Sequence, residues 1–127
     1  MTDDPALAAM RAAAEHARAA NHTAPHAPRD VAALYTRAGE LHDLLCQVGQ
    51  LARGLAVHVE AALVDDPPAG LYSDDDTDPA VHAAAAETHL AAAGSALHGA
   101  ITSVDRAWSA LSHLGERPAD DDGRGGR

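Results

Sequence analysis

The chemistry-bearing residues of this chain are histidines and carboxylates on helical spacings. Nine histidines stand among 127 residues. His58 and Glu60 precede a proline-containing turn, and His82, Glu87 and His89 follow it. Imidazole and carboxylate together can ligate a metal or pass a proton. These five are weak metal candidates. No pair among them has the His-x-x-x-His or Glu-x-x-His spacing that sets two ligands on one helix face in di-metal bundles. Because histidine titrates near 6.5, they also offer a route to pH-sensitive association.

His42 and Cys46 are four residues apart and share a helix face. Two ligands are too few for a tight metal site. Asp74-x-Asp76-x-Asp78 opens like a calcium loop, but Pro79 and Ala85 stand where that pattern needs Gly and Glu. The run therefore reads as a solvated loop that caps the following helix. No Gly-x-Ser-x-Gly, Walker or Gly-x-Gly-x-x-Gly element occurs, and no serine has a recognisable His and acid arrangement. The expectation is a non-enzyme with no catalytic residues and no cofactor.

Charge and composition narrow the classes further. The formal net charge of −10 argues against nucleic acid, because phosphate binding needs a basic face. The acids gather at Asp3-Asp4, Asp65-Asp66, Asp74–Asp78 and Asp120–Asp122, where they keep an alanine-rich chain soluble. No stretch approaches the length of about 18 uncharged apolar residues needed to span a membrane. Cys46 is the one cysteine, so no disulfide closes within the chain, and a reducing compartment is expected. The acidic start, Met1-Thr2-Asp3-Asp4-Pro5, lacks the basic region of a signal peptide. A cytoplasmic location follows as the expectation. Roughly a quarter of the residues are alanine and there is no lysine or phenylalanine. That bias is the product of a high-GC genome and points to a bacterial source.

The elements that would hold these residues are all helical. Asp4-Pro5 can cap and start a short helix over 5–20, followed by a linker with two prolines. Asp30 opens a long helix at about 30–64, stopped by Asp65-Asp66-Pro67-Pro68. Residues 65–78 form a loop. Asp78-Pro79 starts a second long helix at about 79–115, with Gly115 as its expected C′ residue. The predicted organisation is an N-terminal helix and linker over 1–29, a helical hairpin over 30–115, and a polar, disordered tail over 116–127.

The first long helix repeats Val31, Ala38, Leu45, Ala52 and Val59 every seven residues, alternating with Leu34, Leu41, Val48, Leu55 and Ala62. These are coiled-coil a and d positions. The second alternates Ala83, Leu90, Leu97, Val104 and Leu111 with Glu87, Gly94, Ile101 and Trp108. Folded back on each other, the d-type pairs Leu34–Leu111 through Ala62–Ala83 share an index sum of 145. The other layer, with Ala38 opposite Trp108, has a sum of 146. The midpoint falls inside the loop, as an antiparallel hairpin requires.

Two helices bury one face of each. Leu44, Leu51, Leu63, Val57 and Val64 are left over, and Trp108 would be the natural anchor if exposed. With so few large apolar groups the core is thin, and such cores are completed by association. The leading expectation is an adaptor or scaffold that self-associates or receives a helical protein partner, with Leu44, Leu51, Trp108, Leu63 and Val57 at the interface. It binds neither nucleic acid nor membrane. A His/Glu metal- or ligand-binding bundle is the chemical alternative.

The hairpin's size and alanine-rich heptads over 30–115 also resemble the small helical-hairpin proteins of type VII secretion. Those carry Trp-x-Gly in the turn and Tyr-x-x-x-Asp/Glu after the second helix. Here the turn reads Pro67-Pro68-Ala69-Gly70-Leu71-Tyr72, and Tyr72-x-x-x-Asp76 keeps the second spacing within the turn. The resemblance is one of shape, and it implies a secreted hairpin as a further alternative.

Overall fold

The computed structural model describes residues 3–118, and these contain helices and no strand. The chain divides at Asp30 into two compact units. In the first, α1 runs Pro5–Thr23 and continues into a 3₁₀ turn at Ala24–His26. Asp4 caps α1 by accepting from the Leu7 N–H at 3.0 Å, with proline at the first helical position. Alanine's helix propensity carries the element, and none of its residues is buried. It outruns the expected end at residue 20. The Thr23 hydroxyl bonds back to the Ala19 and Ala20 carbonyls, and Pro25 then stops the helix.

In the second unit, α2 runs Val31–Val59 and widens into a π turn over Glu60–Asp65. A connection leads to α3, Pro79–Ser112. Asp78 caps α3 by accepting from the Ala80 N–H at 3.0 Å. The expected Gly115 ending does not form. The helix stops at Ser112, His113 caps it in right-handed conformation, and no described glycine takes a positive φ. The disordered tail was expected from residue 116, yet Glu116 is placed. Its Oε1 accepts from the Val31 N–H at 2.9 Å, so the segment after α3 satisfies one of the unpaired donors at the start of α2. Residues 119–127 of that tail lie outside the described residues.

α2 and α3 pack against each other as an antiparallel pair. Trp108 meets Gly39, Asp105 meets His42, and Gly94 meets Arg53. Each of these pairs has an index sum of 147, one or two above the expected register. On α3 the seam is the predicted one: Ala83, Glu87, Leu90, Gly94, Leu97, Ile101, Val104, Trp108 and Leu111 are its covered residues. On α2 the seam keeps the heptad spacing but is turned about its axis. It uses the expected row Ala38, Leu45, Ala52 and Val59 together with His42, Gly49, Ala56 and Leu63. The expected inward row of Leu34, Leu41, Val48 and Leu55 is instead 38 to 46% exposed.

The cause of the turn lies in side-chain size. Gly49, Ala56, Ala83 and Gly94 are the buried residues of the described chain, and all are small. Small residues let two helix backbones approach closely, and the row of Leu34, Leu41, Val48 and Leu55 stands outside the closest contact. Trp108 fixes the layer. A Cβ at Gly39 would lie 3.0 Å from its Cζ2, and Ala38 was the small residue expected there.

Gly39→Ala should therefore lower stability by about 1 kcal/mol, overpacking against the indole outweighing the gain in helix propensity. Gly54→Ala, where a Cβ meets nothing within 4 Å, should raise it by about 0.5–1 kcal/mol. Denaturant midpoints measure both, and equal signs for the two would contradict this packing. Glu116→Ala should cost about 0.5–1 kcal/mol by exposing the Val31 donor. Thermal unfolding checks it, and an unchanged midpoint would show the contact to be idle.

Candidate functional site

The titratable residues singled out by spacing do not converge. Among the described residues no three His, Cys, Asp or Glu side chains stand close enough to hold a metal. His58, Glu60 and His89 are exposed, Glu87 sits half-buried in the seam, and His82 turns to the connection instead. There its Nε2 donates to both carboxylate oxygens of Asp75 at 2.9 Å. The pair closes a tight polar turn. Asp75 also accepts from the Thr77 N–H at 3.1 Å, the Ser73 hydroxyl donates to the Thr77 carbonyl, and Asp76 takes φ 62°. That left-handed residue is where Asp is tolerated better than most side chains. The Asp74–Asp78 run thus serves as turn and cap.

A shallow recess of about 430 Å³ lies beside this turn, lined by Leu63, Leu71, Tyr72, Pro79, Ala83 and His82 among others. Leu63 is thereby used at the connection. The hydrogen bond from His82 holds the Asp75 carboxyl down at about 2, helped by the Thr77 N–H. The same bond and the negative charges of Asp75 and Asp74 raise the His82 imidazole above its ordinary 6.5.

His42 has the second polar arrangement. Its Nδ1 is 3.9 Å from the Cys46 Sγ, its Nε2 is 3.8 Å from Asp105, and its ring lies 5.6 Å from that of Trp108. Thiol, imidazole and carboxylate stand in order, but the ion-pair distance is long for a hydrogen bond. The recess beside it is lined by Tyr35, Asp105, Trp108, Ser109 and Ser112, and Cys46 does not border it. Spacing within one helix found His42 with Cys46, whereas Asp105 enters only through the helix pairing. Trp108 itself lies in the seam, between Gly39 and the rings of Tyr35 and His42, with its Nε1 buried and unpartnered.

The largest feature is apolar. In an antiparallel pair with equivalent seams, residues three and six after the first seam row fall on the same flank of both helices. On α2 that flank carries Leu34, Leu41, Leu44, Val48, Leu51 and Leu55, with Leu44 and Leu51 at 44 and 45% exposure. On α3 it carries Ala86, Ala93, Ala96, Ala100, Ala107 and Ala110, all exposed, interrupted by His89 and Ser103, as His58 interrupts it on α2. The opposite flank is polar. Two recesses join Tyr35 and Trp108 to Thr36, Glu40 and Asp43 on one helix and to Asp105, Ser109 and Ser112 on the other. Val57 is 60% exposed but belongs to the polar side. No carboxylate occupies the apolar flank, whose formal charge is Arg37. No helix of the described residues is long and apolar enough to cross a membrane.

The Asp75–His82 pair has a defined pH window. A raised histidine contributes stability below about 6.5 and loses it as pH climbs through its folded value. A lowered carboxylate contributes above about 3.8 and loses it as pH falls through about 2. Both contributions are present between about pH 4 and 6.5. Titration followed by NMR should give His82 a midpoint above 6.5, and Asp75→Asn should return it to near 6.5. A wild-type midpoint at or below 6.5 would remove the pair from solution.

Compared with known proteins, the chain matches no protein-family model, no curated protein and no solved structure.

Proposed function

We propose that this chain is a non-enzymatic helical interaction module, an adaptor or scaffold of the cytoplasm that works through the apolar flank of its hairpin. The observation that carries this reading is the placement of α2's bulkiest side chains. The fully buried residues of the seam are glycine and alanine, while six large aliphatic groups of α2 stand beside it, exposed, at heptad spacing. A contiguous apolar face of this size marks a binding surface in a soluble protein. The spacing suits a helix or helix pair, because residues three, four and seven apart present one stripe to a partner.

Electrostatics supports the same flank. In a chain of net charge −10, the acids of the hairpin stand in the connection, at its ends, on the polar side and, as Glu87, in the seam, and the flank is left without a carboxylate. Docking there desolvates no acid. Leu44 and Leu51 lie at its centre and are the strongest anchors. Leu63, at the turn, and Trp108, in the seam, support the surface from within.

A photo-crosslinking amino acid at Val48, in the native host, should trap one discrete adduct, and the same group at Gln50 on the polar flank should trap none. Leu44→Glu with Leu51→Glu should abolish the adduct while far-ultraviolet circular dichroism stays helical. Absence of any adduct at Val48, or one indifferent to the double substitution, would refute the proposal.

A further inference from the structure

We infer that the occupant of the apolar flank is a second copy of this chain, joined about a two-fold axis parallel to the helices into a four-helix bundle. This rests on the reading of that flank as an interaction surface.

A two-fold interface must be self-complementary, since each surface patch meets itself turned over. This flank has that property. It carries large side chains on α2 and, beside them, small residues on α3: Ala86, Ala93, Ala100 and Ala107 in one row, Ala96, Ser103 and Ala110 with His89 in the next. An axis running along the hairpin sets the leucine row of each copy over the alanine row of the other. Large then faces small through the middle of the flank, from Leu41 to Leu55, with Ser103 the small residue opposite Leu44 and His58 opposite His89 at one end.

The register is fixed by the same symmetry. An axis parallel to the helices leaves every residue at its own height, so pairs across copies keep the index sum seen within one copy. That sum is 147, from Gly39 with Trp108 and His42 with Asp105. Leu51 then meets Ala96 of the second copy, Val48 meets Ala100, and Leu55 meets Ala93, each within one residue of that sum. Parallel α2 helices lie on the diagonal, and every neighbouring pair is antiparallel, the common arrangement of four-helix bundles.

Charge and area agree. Two copies carry a combined excess of acid, and self-pairing through any acidic surface would be opposed. The flank brings no carboxylate to the contact. Its length from Leu34 to Ala62 is about 42 Å at 1.5 Å per residue. A helix pair is roughly 18 Å wide, so the flank offers about 750 Å² per copy. Specific interfaces bury about 600–1,000 Å² per partner.

Light scattering on the purified full chain should give twice 13.0 kDa at micromolar concentration. Leu44→Glu with Leu51→Glu should halve that mass. With Cys46→Ser as background, Leu51→Cys mixed with Ala96→Cys should form a disulfide-linked two-chain species under mild oxidation, and neither variant should do so alone. A two-chain disulfide from Leu51→Cys alone would overturn the arrangement. A chain monomeric at every concentration, whose cellular adduct is with another protein and is lost on substituting Leu44 and Leu51, would overturn the second copy while leaving the flank as a binding surface. A monomer with no such adduct would overturn both.

Discussion

The hairpin depends on how closely α2 and α3 approach. Gly39, Gly49, Ala56, Ala83 and Gly94 remove side-chain bulk along the line of contact, and Ala52 extends that line. At Gly94 the space is taken by the aliphatic stem of Arg53, whose Cγ would lie 2.8 Å from an added Cβ. At Gly39 it is taken by the Trp108 indole. Backbone proximity, not leucine burial, sets the geometry of the pair. Dispersion between close-packed atoms is gained along the whole seam, while the transfer of large apolar area from water is small.

That trade shapes the surface. Large side chains excluded from a tight seam must go somewhere, and heptad spacing sends them to a single flank. Ala56 and Ala83, at 5 and 6% exposure, are the most deeply buried apolar residues described. A core whose fully buried residues are alanine and glycine stabilises weakly, and the exposed leucine flank keeps much of α2's hydrophobic free energy unused. The carboxylates lie elsewhere, along the opposite side, at the two ends and, as Glu87, in the seam. Folding of the hairpin and recognition of a partner thus draw on different rows of the same helix.

The ends are held by polar contacts that compensate for the thin core. At one end Glu116 answers the Val31 N–H across 85 residues of chain. At the other, Asp78 caps α3 while Asp75 holds His82 and the Thr77 N–H. The acid-rich connection that resembles a metal loop in one dimension is occupied by these hydrogen bonds in three. The histidines and carboxylates that spacing suggested as ligands are dispersed for the same reason. His82 is held by Asp75, and His58, Glu60 and His89 are exposed on separate turns.

Local chemistry was enough to specify the elements. Asp4-Pro5 and Asp78-Pro79 announce two helix starts, Pro67-Pro68 and the aspartate run announce the connection, and the apolar spacing of α3 gives its buried face residue by residue. Those features rest on backbone preferences and capping, which act within a few residues. The orientation of α2 was not legible in that way. Its sequence offers one apolar row flanked on each side by another. Hydrophobicity favours the leucine row, yet the structure buries the row containing Gly49 and Ala56, a turn of about 50° around the axis. Only the facing helix could decide between them, because the cost of fitting Trp108 and the gain from close backbone approach belong to both helices at once. The pairing of His42 with Asp105 and of Val31 with Glu116 has the same origin: each exists only when distant segments are brought to the same height.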